Sequence, residues 1–175
     1  AGPARGVSAV AAASDPRVGF HCSHEQFPPS ELLDLARGAE AAGFDGAMSS
    51  DHFRPWGQAQ GHSGFAWSWL GAAMAATRLP MGVISAPGYR YHPAVVAQAS
   101  ATLAAMYPGR HWLGLGSGEA LNEHVVAGYW PEAPERINRM FEAIDVIKKL
   151  FQSGIDGKDV KHSGQFYKME STRLW

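Results

Sequence analysis

The chain has one cysteine, Cys22, and therefore no intrachain disulfide, the pattern of a reducing compartment. The sulfur reads as a small core residue, because no paired base or positive helix start stands beside it to favour a thiolate. Long apolar runs are missing too, and nothing in the sequence is long enough to cross a bilayer. No sign of charge dominates: 15 Lys and Arg face 16 Asp and Glu, scattered rather than blocked, for a net charge of −1. That balance argues against nucleic acid or an anionic membrane surface as the main partner.

The chain starts without methionine, and Ala1 to Asp15 is rich in Ala, Gly and Ser. The apolar run Val7 to Ala13 is short and weak for an export signal. We read residues 1–16 as a flexible N-terminal tail on a cytoplasmic protein. An export remnant or an expression remnant are the alternatives. Three motifs are also missing. No His-Glu-x-x-His metal helix occurs. Glu119 stands where a dinucleotide turn built on Gly114 and Gly116 needs glycine. A nucleophile elbow around Ser117 would need glycine at both Leu115 and Glu119.

What is present is an alternation. Arg17 to Ser23 reads as a strand, and a helix follows with Ser30 as its expected N-cap, a buried face of Leu32, Leu35, Ala36 and Ala39, and Gly43 as its stop. Phe44 to Ser49 is a second strand, then a long polar loop over residues 53–63 leads to a helix at Ala66 to Ala76. Leu79 to Ser85 is the third strand, Pro93 opens the next helix, and Trp112 to Gly116 is the fourth strand. Pro134 starts an amphipathic helix whose expected inner stripe is Ile137, Met140, Phe141, Ile144, Ile147 and Phe151, with Asp145 and Lys149 as an exposed pair. Ser163-Gly164 between two β-leaning runs predicts a hairpin. Four strand–helix units imply an α/β fold with parallel pairing and loops at the C-terminal mouth of a (β/α) barrel. A whole barrel takes roughly 250 residues. The expectation is therefore one domain over residues 17–175, the N-terminal half of a (β/α)8 TIM barrel.

Polar residues gather at each strand exit: His21, Ser23, His24 and Glu25; Asp51, His52 and Trp56; Ser85 through Tyr91; Ser117, Glu119 and Asn122. A bland use of Asp51-His52 is a polar turn with an exposed imidazole. The functional use is a histidine placed to move a proton. Glu119 either favours a helix N-terminus or serves a ligand that Gly116-Ser117-Gly118 lets approach the backbone. Histidines and carboxylates at strand ends also suit a metal-dependent barrel hydrolase, although no short ligand motif is found. Trp67 and Trp69 read as core, and Trp56, in a polar loop, reads as a site wall.

Four segments then carry a resemblance: Glu25-Gln26-Phe27; Ser50-Asp51-His52-Phe53 with Pro55-Trp56; Arg90-Tyr91 with Pro93-Ala94-Val95; and Gly116-Ser117-Gly118-Glu119-Ala120-Leu121-Asn122-Glu123. Together they resemble the bacterial-luciferase-like flavin oxidoreductases, nearest the glucose-6-phosphate dehydrogenase group that uses the deazaflavin coenzyme F420. A sister group presumed to use FMN shares the run Ser23 to Leu33. The resemblance implies hydride transfer or monooxygenation of a small organic substrate, with FMN or F420 lying across the strand ends. It implies His52, Glu119, Trp56 and Glu25 as catalytic or substrate-facing residues. Asp51, Gly118, Asn122 and the segment Val83-Ile84-Ser85 would bind the cofactor, with a non-prolyl cis peptide in that last segment. No resident metal is implied. Ser117 departs from the threonine usual in the deazaflavin group, and the phosphate-binding cations of that group belong to the second half-barrel. A non-catalytic flavin-binding or assembly subunit is the alternative. The other half-barrel is expected from another chain, a symmetric copy (making a homo-oligomer) or a continuation of the chain.

Overall fold

Short strands, each closed by a polar exit and returned by a helix, can pair side by side only as parallel neighbours. A computed structural model describes residues 17–175, so the expected tail lies outside the described residues. One parallel sheet holds β1 (Gly19–Cys22), β2 (Gly46–Ser50), β3 (Met81–Ser85) and β4 (His111–Leu115) in chain order. The crossovers are α1 (Pro29–Ala41), α2 (Ala66–Ala76) and α3 (Pro93–Met106). After β4 come α4 (Ala120–Glu123), a 3₁₀ turn at His124–Val126 and the long α5 (Ala133–Asp156). Cys22 pairs with Ser49, Ser50 with Ile84, and Ser85 with Leu115. The strands therefore end level, and their exit loops emerge along one rim.

Helices cover one face of the sheet. Met81 and Val83 point into that layer and are fully buried, together with Leu32, Leu70, Met74, Val96 and Val146. Trp67 and Trp69 are core residues, as expected. Cys22 is 1% exposed and burial pushes its thiol up to about 12, which suits a core residue. Among the described residues nothing covers the opposite face: Ile84 is 39% and Trp112 43% exposed. Gly82 is required beneath that face, because a Cβ there would stand 2.0 Å from the Trp112 ring. Among the described residues, no helix is long and apolar enough to cross a membrane.

Four expectations need correction. Helix α1 begins at Pro29, and extended Pro28 occupies the cap position, so Ser30 is inside the helix. Proline's fixed φ makes it a good first helical residue without a capping side chain. In α5 the buried row is Ala143, Val146, Ile147, Leu150 and Ser153, so of the expected stripe Ile147 is buried, Met140, Ile144 and Phe151 are half-buried, and Ile137 and Phe141 are 42% and 58% exposed. The helix packs on α3, and that contact selects which of its apolar rows is buried. Lys149 also lies against His162 rather than Asp145, with Nζ 3.1 Å from Nδ1. Finally, the hairpin has a wider turn than Ser163-Gly164. Its strands are β5 (Val160–Ser163) and β6 (Lys168–Thr172), with Gly164 N–H donating to the Tyr167 carbonyl at 3.0 Å. The Glu142 carboxylate of α5 fills that turn, accepting N–H bonds from Gln165, Phe166 and Tyr167.

Candidate active site

The site forms where three exits of the rim meet. His52 leaves β2 and turns its ring toward the β1 exit, where Nδ1 lies 2.5 Å from Glu25 Oε1. Ser23 Oγ donates to the other Glu25 oxygen at 2.8 Å, and the Glu25 carbonyl accepts the His62 N–H at 3.1 Å. Burial alone would raise the Glu25 pKa, but the bonds from His52, its own backbone and Ser23 bring it down to about 2. An ionised carboxylate only accepts, so His52 carries its hydrogen on Nδ1. The lone pair of neutral His52 is then at Nε2, which faces Glu119 Oε1 at 3.5 Å. The Glu25 hydrogen bond raises the His52 pKa above its ordinary value, against the opposing effect of burial.

A cleft of about 290 Å³ opens beside this imidazole. Asp51, His52, Trp56, Ile84, Ser85, Gly118, Glu119 and Asn122 all line it, so eight of the ten expected site residues share one cavity. Glu25 reaches it through His52. Val83 does not line it and is fully buried in the helix layer, because neighbouring strand residues face opposite ways. The expected cis bond near Ser85 is absent, since the described peptide bonds are all trans. Trp56 is 62% exposed and stands edge-on to His52, with ring centroids 5.7 Å apart.

Several residues turn away from the cleft. His24 is 1% exposed, packs edge-on against Trp69 and meets Ser49 Oγ at 3.1 Å. Burial lowers its pKa to about 4, which makes it a neutral core group. His21 lies 3.4 Å from Ser50 Oγ on the bare sheet face. Among the described residues, no group of three His, Cys, Asp or Glu side chains is arranged to hold a metal ion.

Two residues without an assigned role from the sequence prove central to the wall. Arg90 is nearly buried and sits between Asp51 and Glu123, whose side chains are 0% and 3% exposed. It meets Asp51 Oδ2 at 3.3 Å and Glu123 Oε2 at 3.2 Å, and it also donates to the Asp51 carbonyl. Ser85 Oγ donates to Asp51 Oδ2 at 2.8 Å. Burial pushes the Glu123 pKa up, opposed by Arg90. A sequence signal existed: several carboxylates at the exits need a counter-charge, and Arg90 is the cation in the β3–α3 loop.

Residues 10–175 match the family model described as luciferase-like monooxygenase. The F420-dependent glucose-6-phosphate dehydrogenase of Microbacterium testaceum (strain StLB037) is 46% identical over 161 residues, which cover 91% of this chain and 47% of that protein. Its counterpart in Mycobacterium avium (strain 104) is 43% identical over 164 residues, covering 91% and 47%. Among solved structures, an F420-dependent secondary alcohol dehydrogenase in complex with an F420-acetone adduct superposes with a TM-score of 0.87 at 40% identity. That match covers 91% of this chain and 48% of the other. The FMN-bound oxygenating constituent of 3,6-diketocamphane monooxygenase from Pseudomonas putida gives a TM-score of 0.68 at 18% identity, covering 87% and 42%, and shares the fold. The chain spans about half the length of the curated relatives it matches. Its parallel sheet, its level strand exits and these matches agree, and the chain belongs to the luciferase-like monooxygenase family.

Proposed function

We propose that the protein built on this chain is an F420-dependent dehydrogenase that oxidises a hydroxyl-bearing carbon of a small organic substrate. The observation that carries this reading is the His52 imidazole, bonded to Glu25 on one nitrogen and facing Glu119 and the cleft with the other. Relatives at 40–46% identity are deazaflavin dehydrogenases by name, whereas the FMN-bound monooxygenase is similar in fold alone.

The cleft suits a flat ring. A Cβ at Gly116 would meet no atom within 4 Å, so backbone there faces open space, and Ile84 and Ala86 add apolar surface. Ile84, Ser85 and Gly118 would hold the ring, with Asp51 steadying Ser85 and Val83 supporting the strand from behind. Bound there, the deazaflavin supplies the hydride acceptor. His52 Nε2 takes the substrate's hydroxyl proton while the carbon gives up its hydrogen with the bonding pair, which leaves a carbonyl product. Glu25 stabilises the resulting imidazolium. Glu119, at the same rim, would give up the one proton that accompanies the hydride when a bound ring is reduced, while His52 keeps the proton from the substrate hydroxyl. Trp56 walls the substrate side and keeps it against His52.

Among the described residues, one sheet face is uncovered and the outer edges of β1 and β4 pair with no other strand, and both support a second proposal about assembly. Further polypeptide, whether a continuation, another chain or a second copy of this one in a homo-oligomer, covers Ile84 and Trp112 and completes the barrel. A cytoplasmic location accords with the single, buried cysteine.

Titration of the purified protein with deazaflavin and with FMN, followed by absorbance and by turnover of alcohols, tests the reading. Deazaflavin binding and its reduction by an alcohol are expected. FMN binding with oxygen consumption would make the protein a monooxygenase instead. Coenzyme binding without turnover would make it a binding or assembly subunit, and a colourless zinc protein would make it a hydrolase.

A further inference from the structure

No residue of the β5–β6 hairpin lines the cleft, yet one of them reaches the rim from behind. Tyr167, in the hairpin turn, is 5% exposed. Its backbone is pinned twice: the N–H donates to Glu142 Oε1 at 2.8 Å, and the carbonyl accepts the Gly164 N–H at 3.0 Å. From that fixed root the side chain runs to the loop between β3 and α3. Gly88 of that loop has a φ of +110°, and a Cβ there would overlap the Tyr167 hydroxyl and stand 2.9 Å from Cζ. At the other end of the loop the His92 ring stands edge-on to Tyr167, with centroids 5.6 Å apart. His92 is itself held as the cap of α3, where its Nδ1 accepts the Ala94 N–H at 3.1 Å. Tyr167 thus underlies both feet of the loop from Gly88 to His92.

Arg90 is the apex of that loop. Gly88 N–H donates to the Tyr91 carbonyl at 2.9 Å, which closes residues 88–91 into one turn, and the Arg90 guanidinium lies 5.2 Å from the Tyr91 ring centre. On its far side the guanidinium pairs with Asp51 and Glu123, both of which line the cleft. A cation shared between two buried carboxylates must be placed well, because a shift of its loop leaves one of them unpaired. Gly88 cannot stiffen the loop by itself, since glycine resists neither sign of φ, so the stiffness comes from the ring beneath it. From these contacts we infer that Tyr167 is a positioning residue: it holds Arg90 in place, and through Arg90 it holds Asp51 and Glu123 at the wall of the cleft. Its effect on the coenzyme rests on the dehydrogenase reading of the site, and its effect on Arg90 does not.

The test is a graded series in the assembled protein, Tyr167→Phe and Tyr167→Leu, read well below the thermal midpoint of each variant. In isotopically labelled protein the Arg90 Nε–H resonance reports on the guanidinium directly. Tyr167→Leu should displace it. Tyr167→Phe keeps the ring and loses only the hydroxyl against Gly88, so it should displace the resonance less and in the same direction. The deazaflavin Kd should rise about tenfold in Tyr167→Leu and stay within about twofold in Tyr167→Phe. In an Arg90→Lys background Tyr167→Leu should raise Kd no further, because both changes loosen the same link. In folded Tyr167→Leu, an unmoved Arg90 resonance or an unmoved Kd overturns the inference, and a lowered thermal midpoint alone would make Tyr167 a core residue only. Losses that multiply in the Arg90→Lys background would overturn it too. Where Tyr167→Leu does not fold, the resonance in Tyr167→Phe decides, and an unmoved one overturns the inference. If the parent binds no deazaflavin, the dehydrogenase reading fails, and the Arg90 resonance still decides whether the hairpin holds the loop.

Discussion

His52 donates its Nδ1 hydrogen to Glu25 Oε1 across 2.5 Å, and this one bond joins the exits of β1 and β2. It raises the His52 pKa above 6.5, and together with the Glu25 backbone and Ser23 bonds it outweighs burial and brings the Glu25 pKa from 4.5 down to about 2. The Glu25 contribution to stability is complete above its ordinary value and is lost as pH falls toward about 2. The His52 contribution is complete below 6.5 and is lost as pH rises through the raised value. The pair therefore stabilises the fold most between 4.5 and 6.5. An NMR titration of the His52 ring should give a midpoint above 6.5, and Glu25→Gln should bring it down. A midpoint indifferent to Glu25→Gln would break the link.

Arg90 holds two buried carboxylates, so removing it leaves both unpaired. Arg90→Met should destabilise the protein by about 3–5 kcal/mol, measured by urea unfolding. Adding Glu123→Gln should recover part of that loss, since Glu123 is already pushed toward its neutral form by burial. Equal stability of the parent and Arg90→Met would show that the buried cluster is not held by charge.

Glu142 replaces the ladder bonds that the β5–β6 turn cannot make for itself, with Tyr167 N–H donating at 2.8 Å and Phe166 N–H at 3.0 Å. Glu142→Ala strips these donors of their acceptor and should cost about 1–3 kcal/mol. Limited proteolysis should then cut first within residues 164–167. An unchanged digestion pattern would mean that the turn is held by its aromatic contacts instead.

Trp56 is largely exposed and touches the site from its open side. Trp56→Ala should leave stability within about 0.5 kcal/mol, as surface changes do. The KM for substrate should rise, because the wall against which it is held is gone. A large drop in thermal midpoint with KM unchanged would assign the ring to structure.

Much of this architecture was legible in the sequence because it is local. Strand, helix and exit repeat within about forty residues, and Gly43 and Pro93 mark helix boundaries through their own backbone preferences. The rim positions of Asp51, His52 and Glu119 follow from that repetition. What could not be read is set by packing across units. Which apolar row of α5 is buried depends on the surface of α3, and its own periodicity allows more than one answer. The Glu25–His52 bond spans 27 residues and the Phe53–Asn122 bond 69, so no spacing rule announces them. His21 and His24 look alike in sequence beside Glu25, yet the β1 exit turns His24 into the core and Glu25 toward the cleft.

The role given to His52 is the point on which the functional reading turns. Stopped-flow reduction of bound deazaflavin by an alcohol, compared between the parent protein and His52→Ala, measures it directly. Coenzyme binding should persist, because the cleft floor is built by Ile84, Ser85 and Gly118. The hydride-transfer rate should fall by about 10²–10⁴ with loss of the base. Full-rate reduction in His52→Ala would contradict the reading.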